Sequence, residues 1–279
     1  MRTELKKLRS ALRPIYGERE TEAIIRIIFH HLKGWNLTDM LIHESEPLSP
    51  FIKSEINKIL ERLLKHEPIQ YITGEARLHG LELHVTPDVL IPRPETAELV
   101  DIIADDAADK PDLKVLDLCT GSGCIAIALA RSLNFPMITA LDISGPALKV
   151  ARGNADNLKV KVDFIQADIF NWQAADDFDI IVSNPPYIDE SEKASMDLNV
   201  LDYEPHNALF VPDADPLRFY IRITCLATKL LKPDGRLYFE INPRHALELK
   251  NILLKAGFST VDIIRDSFGK ERFIRAYKQ

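Results

Sequence analysis

The sequence predicts an α/β protein in which a mostly parallel sheet, covered by helices on both faces, follows a small N-terminal helical bundle. Three observations carry this expectation. Before residue 80, apolar residues recur at three- and four-residue steps. From about residue 113, short aliphatic runs alternate with longer amphipathic stretches. Between these regions the period drops to two, where Leu81, Leu83 and Val85 alternate with Glu82 and His84 after Gly80. With 279 residues, 46% of them apolar, the chain has room for one large domain, a small companion and a buried core.

The first helices follow from Leu5, Leu8, Leu12 and Ile15, then from Ile24, Ile25, Ile27, Ile28 and Leu32. A further set comes from Ile52, Ile56, Ile59, Leu60 and Leu63. Gly17, Gly34, Pro47 and Pro50 punctuate them. No one of these faces is buried by its own helix, so a bundle of about 70 residues is expected. The start, Met1-Arg2-Thr3-Glu4-Leu5-Lys6-Lys7, reads as charged helix rather than a signal-type apolar core. Arg26 interrupts the longest tempting apolar run, so no membrane span is expected. Cys119, Cys124 and Cys225 cannot build a disulfide framework, which points to a reducing, cytoplasmic setting.

The hairpin at 75–92 is the expected domain boundary. Pro87, Pro92 and Pro94 stiffen the connection after the alternating run, and Pro94 suits the first turn of a helix burying Leu99, Ile102 and Ile103. Strands are then expected at 114–118, 137–141, 162–166, 179–183, 235–241, 261–265 and 272–277. Helices are expected at 124–133, 146–157, 217–231 and 246–256. The last two strands are separated by only a few residues, too few for a helical crossover, and should pair antiparallel.

Charge divides at the same place. Residues 1–80 carry 13 basic and 11 acidic groups, a net of +2, which leaves −9 of the overall −7 for the remainder. An acidic second part disfavours a protein that grips nucleic acid by neutralising many phosphates. The basic start (Arg2, Lys6, Lys7, Arg9) reads either as a solvated helix face or as a surface that meets an acidic partner.

After the first strand comes Asp117-Leu118-Cys119-Thr120-Gly121-Ser122-Gly123-Cys124. Glycines at a strand-to-helix turn let a ligand approach the backbone, and the helix start offers free N–H donors. Asp142 ends the next strand, where a carboxylate can accept both hydroxyls of a ribose. A nucleoside cofactor is expected. Gly121, Gly123 and Ala126 also satisfy the loose G-x-G-x-x-A pattern, so a nicotinamide enzyme enters as a rival. Cys119 and Cys124 fit no zinc spacing, and no metal site is expected.

The fourth strand runs into Asn184-Pro185-Pro186-Tyr187. Ligands of open parallel sheets sit beyond the carboxyl ends of the strands, which puts this turn beside the glycine loop. Two prolines stiffen the backbone and remove two donors, leaving an Asn amide, carbonyl oxygens and an aromatic ring. That set suits a flat, conjugated NH2 group. Asn184 and the Pro185 carbonyl can accept its hydrogens while Tyr187 stacks on its plane. Such a nitrogen is a poor nucleophile, so positioning and transition-state electrostatics would carry the catalysis. A rigid turn that merely closes the strand is the alternative.

On these residues the chain resembles the PrmC (HemK) release factor glutamine methyltransferases. The resemblance also draws on Pro68-Ile69-Gln70-Tyr71-Ile72-Thr73-Gly74, Leu90-Ile91-Pro92-Arg93-Pro94-Glu95-Thr96, Tyr203-Glu204-Pro205, and Asp266 with Gly269 and Arg272. It implies a Rossmann-like class I S-adenosylmethionine methyltransferase sheet over 93–279, a hairpin linker over 75–92 and a substrate-docking helical domain over 1–74. It further implies that Cys119, Thr120, Gly121, Ser122 and Gly123 wrap the methionine end of S-adenosyl-L-methionine, that Asp142 holds its ribose, and that Asp168 and Ile169 border its adenine. Asn184, Pro185, Pro186 and Tyr187 would hold the glutamine of the Gly-Gly-Gln motif of a class 1 peptide chain release factor, Asn184 also touching the cofactor. Segment 93–96 would border the cofactor as well.

The chain departs from the family at Cys119 (commonly glycine), Ala97 (commonly acidic), Asn242 (commonly glycine) and Ile169 (aromatic in some members). These departures bear on cofactor affinity rather than on reaction type.

Three rival functions compete with this reading. Adenine-N6 methylation of DNA or RNA uses a similar turn but calls for a basic groove and, on duplex, for base flipping. A nicotinamide oxidoreductase has no use for Asn-Pro-Pro-Tyr. A non-catalytic adaptor would need a ruined cofactor site. Trp35 and Trp172 read as packing residues, Trp172 close to the adenine edge, while Glu204 reads equally as a substrate contact or a turn cap.

Overall fold

The structure is a computed structural model that describes residues 1–174 and 177–279. It divides into two compact units: 1–75 with 197–203, and 76–196 with 204–279.

The first unit is helical. It holds α1 (Arg2–Lys33), α2 (Leu37–Ile42), α3 (Pro50–Leu63) and α4 (Ile69–Thr73). Gly17 breaks α1 with φ 72°, ψ 176°, a positive-φ conformation that a β-carbon disfavours, so α1 is two helices joined at a kink. The two halves can then face each other, and Leu8, Leu12, Ile25, Ile28 and Ile56 are all but fully buried in one core. Asn36 and Ser49 cap α2 and α3 through their side chains. Three of the four basic residues of the start, Arg2, Lys7 and Arg9, are engaged inside this unit. Arg9 grips Glu22 with two bonds of 2.7 and 2.9 Å, Arg2 reaches Glu44, and Lys7 donates to Asn57. Trp35 packs between Phe29 and His43.

The second unit begins with the hairpin β1 (Glu75–Leu78) and β2 (Leu81–His84), then α5 (Pro94–Asp106). Leu78, Leu81 and Leu83 pack into the same core cluster as Leu99 and Ile103 of α5. The alternation continues with β3 (Lys114–Leu118), α6 (Cys124–Ser132), β4 (Met137–Asp142), α7 (Gly145–Leu158), β5 (Asp163–Gln166) and β6 (Phe178–Ser183). Short pieces come next: β7 (Ile188–Asp189), α8 (Leu198–Leu201, in the segment grouped with the helical unit), α9 (His206–Leu209) and β8 (Phe210–Val211). The chain ends with α10 (Arg218–Leu230), β9 (Leu231–Glu240), α11 (Ala246–Lys255), β10 (Phe258–Arg265) and β11 (Glu271–Lys278).

Seven strands form one sheet in the order β10-β11-β9-β6-β3-β4-β5. Six strands share one direction, five of them paired side by side in parallel, and β11 lies antiparallel between β9 and β10. The expected pairing of the last two strands is therefore present, with β11 inserted rather than added at the edge. Central β3 reads Val115-Leu116-Asp117-Leu118 with every one of these residues buried, as a strand covered on both faces requires. Strand order reverses between β3 and β6, and the crevice beyond their carboxyl ends is where open α/β sheets place a ligand. The glycine loop leaves β3 and the Asn-Pro-Pro-Tyr turn leaves β6, so both open onto that crevice.

Candidate active site

A cavity of about 480 Å³ occupies the crevice, within the size range of small-molecule sites. Cys119, Thr120, Gly121 and Ser122 line one side of it. The loop is tied at both ends: Thr120 N–H donates to the Leu141 carbonyl at 3.0 Å, and its hydroxyl donates to buried Asp117 at 2.6 Å. Asn154 on α7 holds the Ser122 carbonyl at 3.0 Å. Gly123 does not line the cavity. It turns into α6 with φ 79°, and an added β-carbon would lie 3.1 Å from the Ala151 side chain.

Asp142 lies on the cavity wall at the end of β4. Its Oδ2 accepts from Gly121 N–H at 2.8 Å and its Oδ1 from Ser144 N–H at 2.9 Å. An ionised carboxylate has about four acceptor positions, so roughly two remain for other donors. Burial pushes its pKa upward, and the Ser144 and Gly121 amides oppose that shift.

Asp168, Ile169 and Phe170 form a second wall. Asp168 caps its own turn, accepting from Phe170 N–H at 3.0 Å and from the Asn171 amide at 2.8 Å. Arg222 on α10 donates to the carbonyls of Ile169 and Trp172, which fixes this loop against the helix. Phe170 meets Phe219 edge-on at 5.2 Å, and the Arg218 guanidinium lies 4.8 Å from the Phe170 ring centre. All three line the cavity; Trp172 does not.

From the acceptor turn, Asn184 and Pro186 line the cavity, while Pro185 and Tyr187 do not. Among the described residues, the Asn184 side chain has no hydrogen-bond partner and so remains open to a ligand. Tyr187 is anchored instead: its hydroxyl donates to Glu240 Oε1 at 3.0 Å. Glu240 is buried, and its other oxygen accepts from the Thr96 hydroxyl at 2.7 Å. Burial raises the pKa of Glu240, against the pull of these two donors and of Arg272. Arg93 and Thr96 both border the cavity. Glu204 accepts from Arg93 at 2.6 Å and from Ile91 N–H at 3.2 Å, so its carboxylate clamps the 91–93 segment rather than merely capping a turn.

This arrangement can bind a nucleoside through Asp142 and an aromatic wall, and present a flat amide to Asn184 in the same space. Residues 5–74 match the PrmC N-terminal domain family, and residues 96–201 match the methyltransferase small domain family. The chain is 44% identical over 272 residues to a release factor glutamine methyltransferase of Bacteroides thetaiotaomicron, covering 96% of this chain and 97% of that one. The chain belongs to the release factor glutamine methyltransferases. Among solved structures, a methyltransferase from Pyrococcus furiosus aligns at 18% identity with a TM-score of 0.53, covering 80% of this chain and 98% of that one. The 16S rRNA N2 G1207 methyltransferase RsmC of T. thermophilus, in complex with AdoMet and guanosine, aligns at 19% identity with a TM-score of 0.54 over 74% of this chain and 50% of that one. Both carry the fold alone at this distance. It is the Rossmann-like class I methyltransferase fold expected from the sequence.

Of the twelve residues named individually in the sequence for the cofactor or the acceptor, nine line one cavity, Cys119, Thr120, Gly121, Ser122, Asp142, Asp168, Ile169, Asn184 and Pro186, and Arg93 and Thr96 of the 93–96 segment join them. Sequence reasoning missed Phe170, Arg218 and Phe219. Phe170 and Phe219 look in the sequence like ordinary core positions, and Arg218 like the polar start of a helix. Cys119 and Cys124 carry free thiols. Burial raises both, Cys124 to about 12, so neither is an activated nucleophile.

Proposed function

We propose that this protein transfers a methyl group from S-adenosyl-L-methionine to the side-chain amide nitrogen of the glutamine in the Gly-Gly-Gln motif of class 1 peptide chain release factors. The observation that carries this reading is the opening of Asn184 onto the same cavity as Asp142 and the glycine loop. Family membership over nearly the whole chain supports it.

The residues fit the cofactor. Asp142 retains acceptor positions for ribose hydroxyls, Thr120 to Ser122 border the space for the amino-acid end, and Ile169 with Phe170 offers an apolar wall for the base. When bound, S-adenosyl-L-methionine supplies an electrophilic methyl group on a positively charged sulfur that departs as a neutral thioether. Asn184 Oδ1 accepts one hydrogen of the glutamine NH2 group, and the Pro185 carbonyl accepts the other. These acceptors would orient the nitrogen toward the bound methyl donor and favour positive charge developing on it. The alkylated nitrogen is strongly acidic and releases its proton to water, so no side chain with a tuned pKa is needed as base. Helical residues 1–74 dock the release factor. No helix among the described residues is long and apolar enough to cross a membrane, and the free thiols suit a cytoplasmic setting.

The test is incubation with methyl-labelled S-adenosylmethionine and either unmethylated release factor or DNA and RNA. Label is expected on the release factor glutamine, and label on nucleic acid alone would refute the reading. Asn184→Ala should lower turnover by at least about a hundredfold, as loss of a transition-state contact does, while leaving cofactor binding in place. Asp142→Ala should do the reverse, weakening cofactor affinity first.

A further inference from the structure

The end of β9 holds the acceptor turn by two independent contacts. Glu240 takes the Tyr187 hydroxyl at 3.0 Å, and Asn242 donates from Nδ2 to the Tyr187 carbonyl at 3.1 Å. Both residues are buried. Asn242 is fully engaged: its second Nδ2 hydrogen reaches Glu192 at 2.9 Å, and its Oδ1 accepts from Arg244 N–H at 3.1 Å. Glu240 is equally committed, through Thr96 and Tyr187 on its carboxylate and the Tyr220 hydroxyl on its carbonyl at 3.0 Å. The ring and the peptide of the last residue in the turn are therefore held from one strand end, three residues from Asn184.

We propose that Asn242, with Glu240, is a positioning residue for methyl transfer: its amide sets the peptide plane after Tyr187, and thereby the direction in which the acceptor turn presents Asn184 and the Pro185 carbonyl. The proposal rests on the function assigned above. Neither residue lines the cavity, and both reach the acceptor turn through Tyr187, the one by its hydroxyl and the other by its carbonyl. A buried amide whose polar atoms all have partners adopts one orientation, and a carbonyl held by it cannot rotate without leaving an unsatisfied donor. Thr96 borders the cavity and bonds to the same Glu240 that holds Tyr187, so the brace also joins the cofactor wall to the acceptor turn.

The test separates this grip from the other task Asn242 performs, which is to cap the short 3-10 turn Pro243–His245 through Oδ1. Asn242→Asp keeps the capping oxygen and replaces the donor to Tyr187 with an acceptor. Asn242→Ala removes both. With the full-length protein, release factor and S-adenosylmethionine, turnover is measured from about pH 7 to 9, so that a carboxyl raised by burial and by Glu192 also passes into its ionised form, alongside cofactor affinity by calorimetry. Both variants are expected to lose about three- to tenfold in kcat, the effect of one hydrogen bond. Cofactor Kd and the KM for release factor should stay within about twofold. Wild-type turnover in Asn242→Asp would assign the residue to capping alone and overturn the proposal. So would a parallel loss of cofactor binding, which marks a structural role. Failure of the wild-type protein to methylate release factor would instead refute the proposed function, and this inference with it.

Discussion

Cys119 leaves β3 with φ 62°, in the left-handed region that a β-carbon disfavours. Its thiol packs partly against the core, which offsets some of the strain. Two substitutions separate these effects. Cys119→Ala loses the sulfur contacts and keeps the strain; Cys119→Gly loses the same contacts and relieves it. The glycine variant should therefore be the more stable by about 1 kcal/mol in denaturant unfolding. An alanine variant equal to or more stable than the glycine variant would show that this backbone is not strained. At this scale the sequence was legible wherever a residue type carries chemistry unavailable to its neighbours. Asp142 and Asn184 stood out because a carboxylate at a strand end and an amide before two prolines have few structural uses. Phe170 and Phe219 did not, because an aromatic residue facing a cavity and one facing a core leave the same pattern. Glu240 escaped notice for a related reason: a carboxylate at the end of a buried strand declares itself only through partners distant in sequence, Thr96 and Tyr187.

The glycine loop shows how one element meets two separate demands. Gly121 and Gly123 both have positive φ, at 55° and 79°. Around Gly121 an added β-carbon would meet nothing within 4 Å, so that glycine answers to backbone conformation and to the ligand space it borders. Around Gly123 it would lie 3.1 Å from Ala151 Cβ and 3.2 Å from Ile127 Cδ1, so that glycine lets α6 start close against α7. Gly121→Ala should cost about 1 kcal/mol of stability, from strain alone. Gly123→Ala should cost about 2–4 kcal/mol, because overpacking adds to strain. Thermal unfolding of the two variants checks the order, and equal losses would remove the packing role assigned to Gly123. Elements of this kind were well marked in the sequence. The strands at 114–118, 137–141 and 179–183 differ by no more than one residue at an end from those observed, because each is an aliphatic run bounded by a turn. The paired short strands β7 and β8 were not foreseen, since two residues are too few to show a period.

At the scale of the whole molecule, the least legible feature is the grouping of 197–203 with the helical unit, because nothing in seven residues of local pattern reveals a long-range partner. Tyr203 shows the kind of contact involved, its hydroxyl donating to the Lys65 carbonyl at 2.7 Å. Global stability, by contrast, depends on a group the sequence did display. Asp117 sits fully buried in the central strand, and burial raises its pKa to about 7 against the pull of the Thr120 hydroxyl. In the unfolded chain the same carboxyl titrates near 3.9. Between these two values the native state holds a proton that the unfolded state has released, so its contribution to stability falls as pH rises from about 4 to 7. Above 7 both states are ionised, and the penalty is complete and constant. Asp117→Asn removes the titration and leaves a neutral group of similar shape able to accept from Thr120. Relative to wild type, this variant should therefore gain stability steadily as pH is raised from about 4 to 7 and level off above that. Denaturant unfolding of both proteins across this range measures the difference directly. A difference that stayed flat between about pH 4 and 7 would mean that Asp117 is already ionised throughout, held by its hydrogen bonds despite its burial.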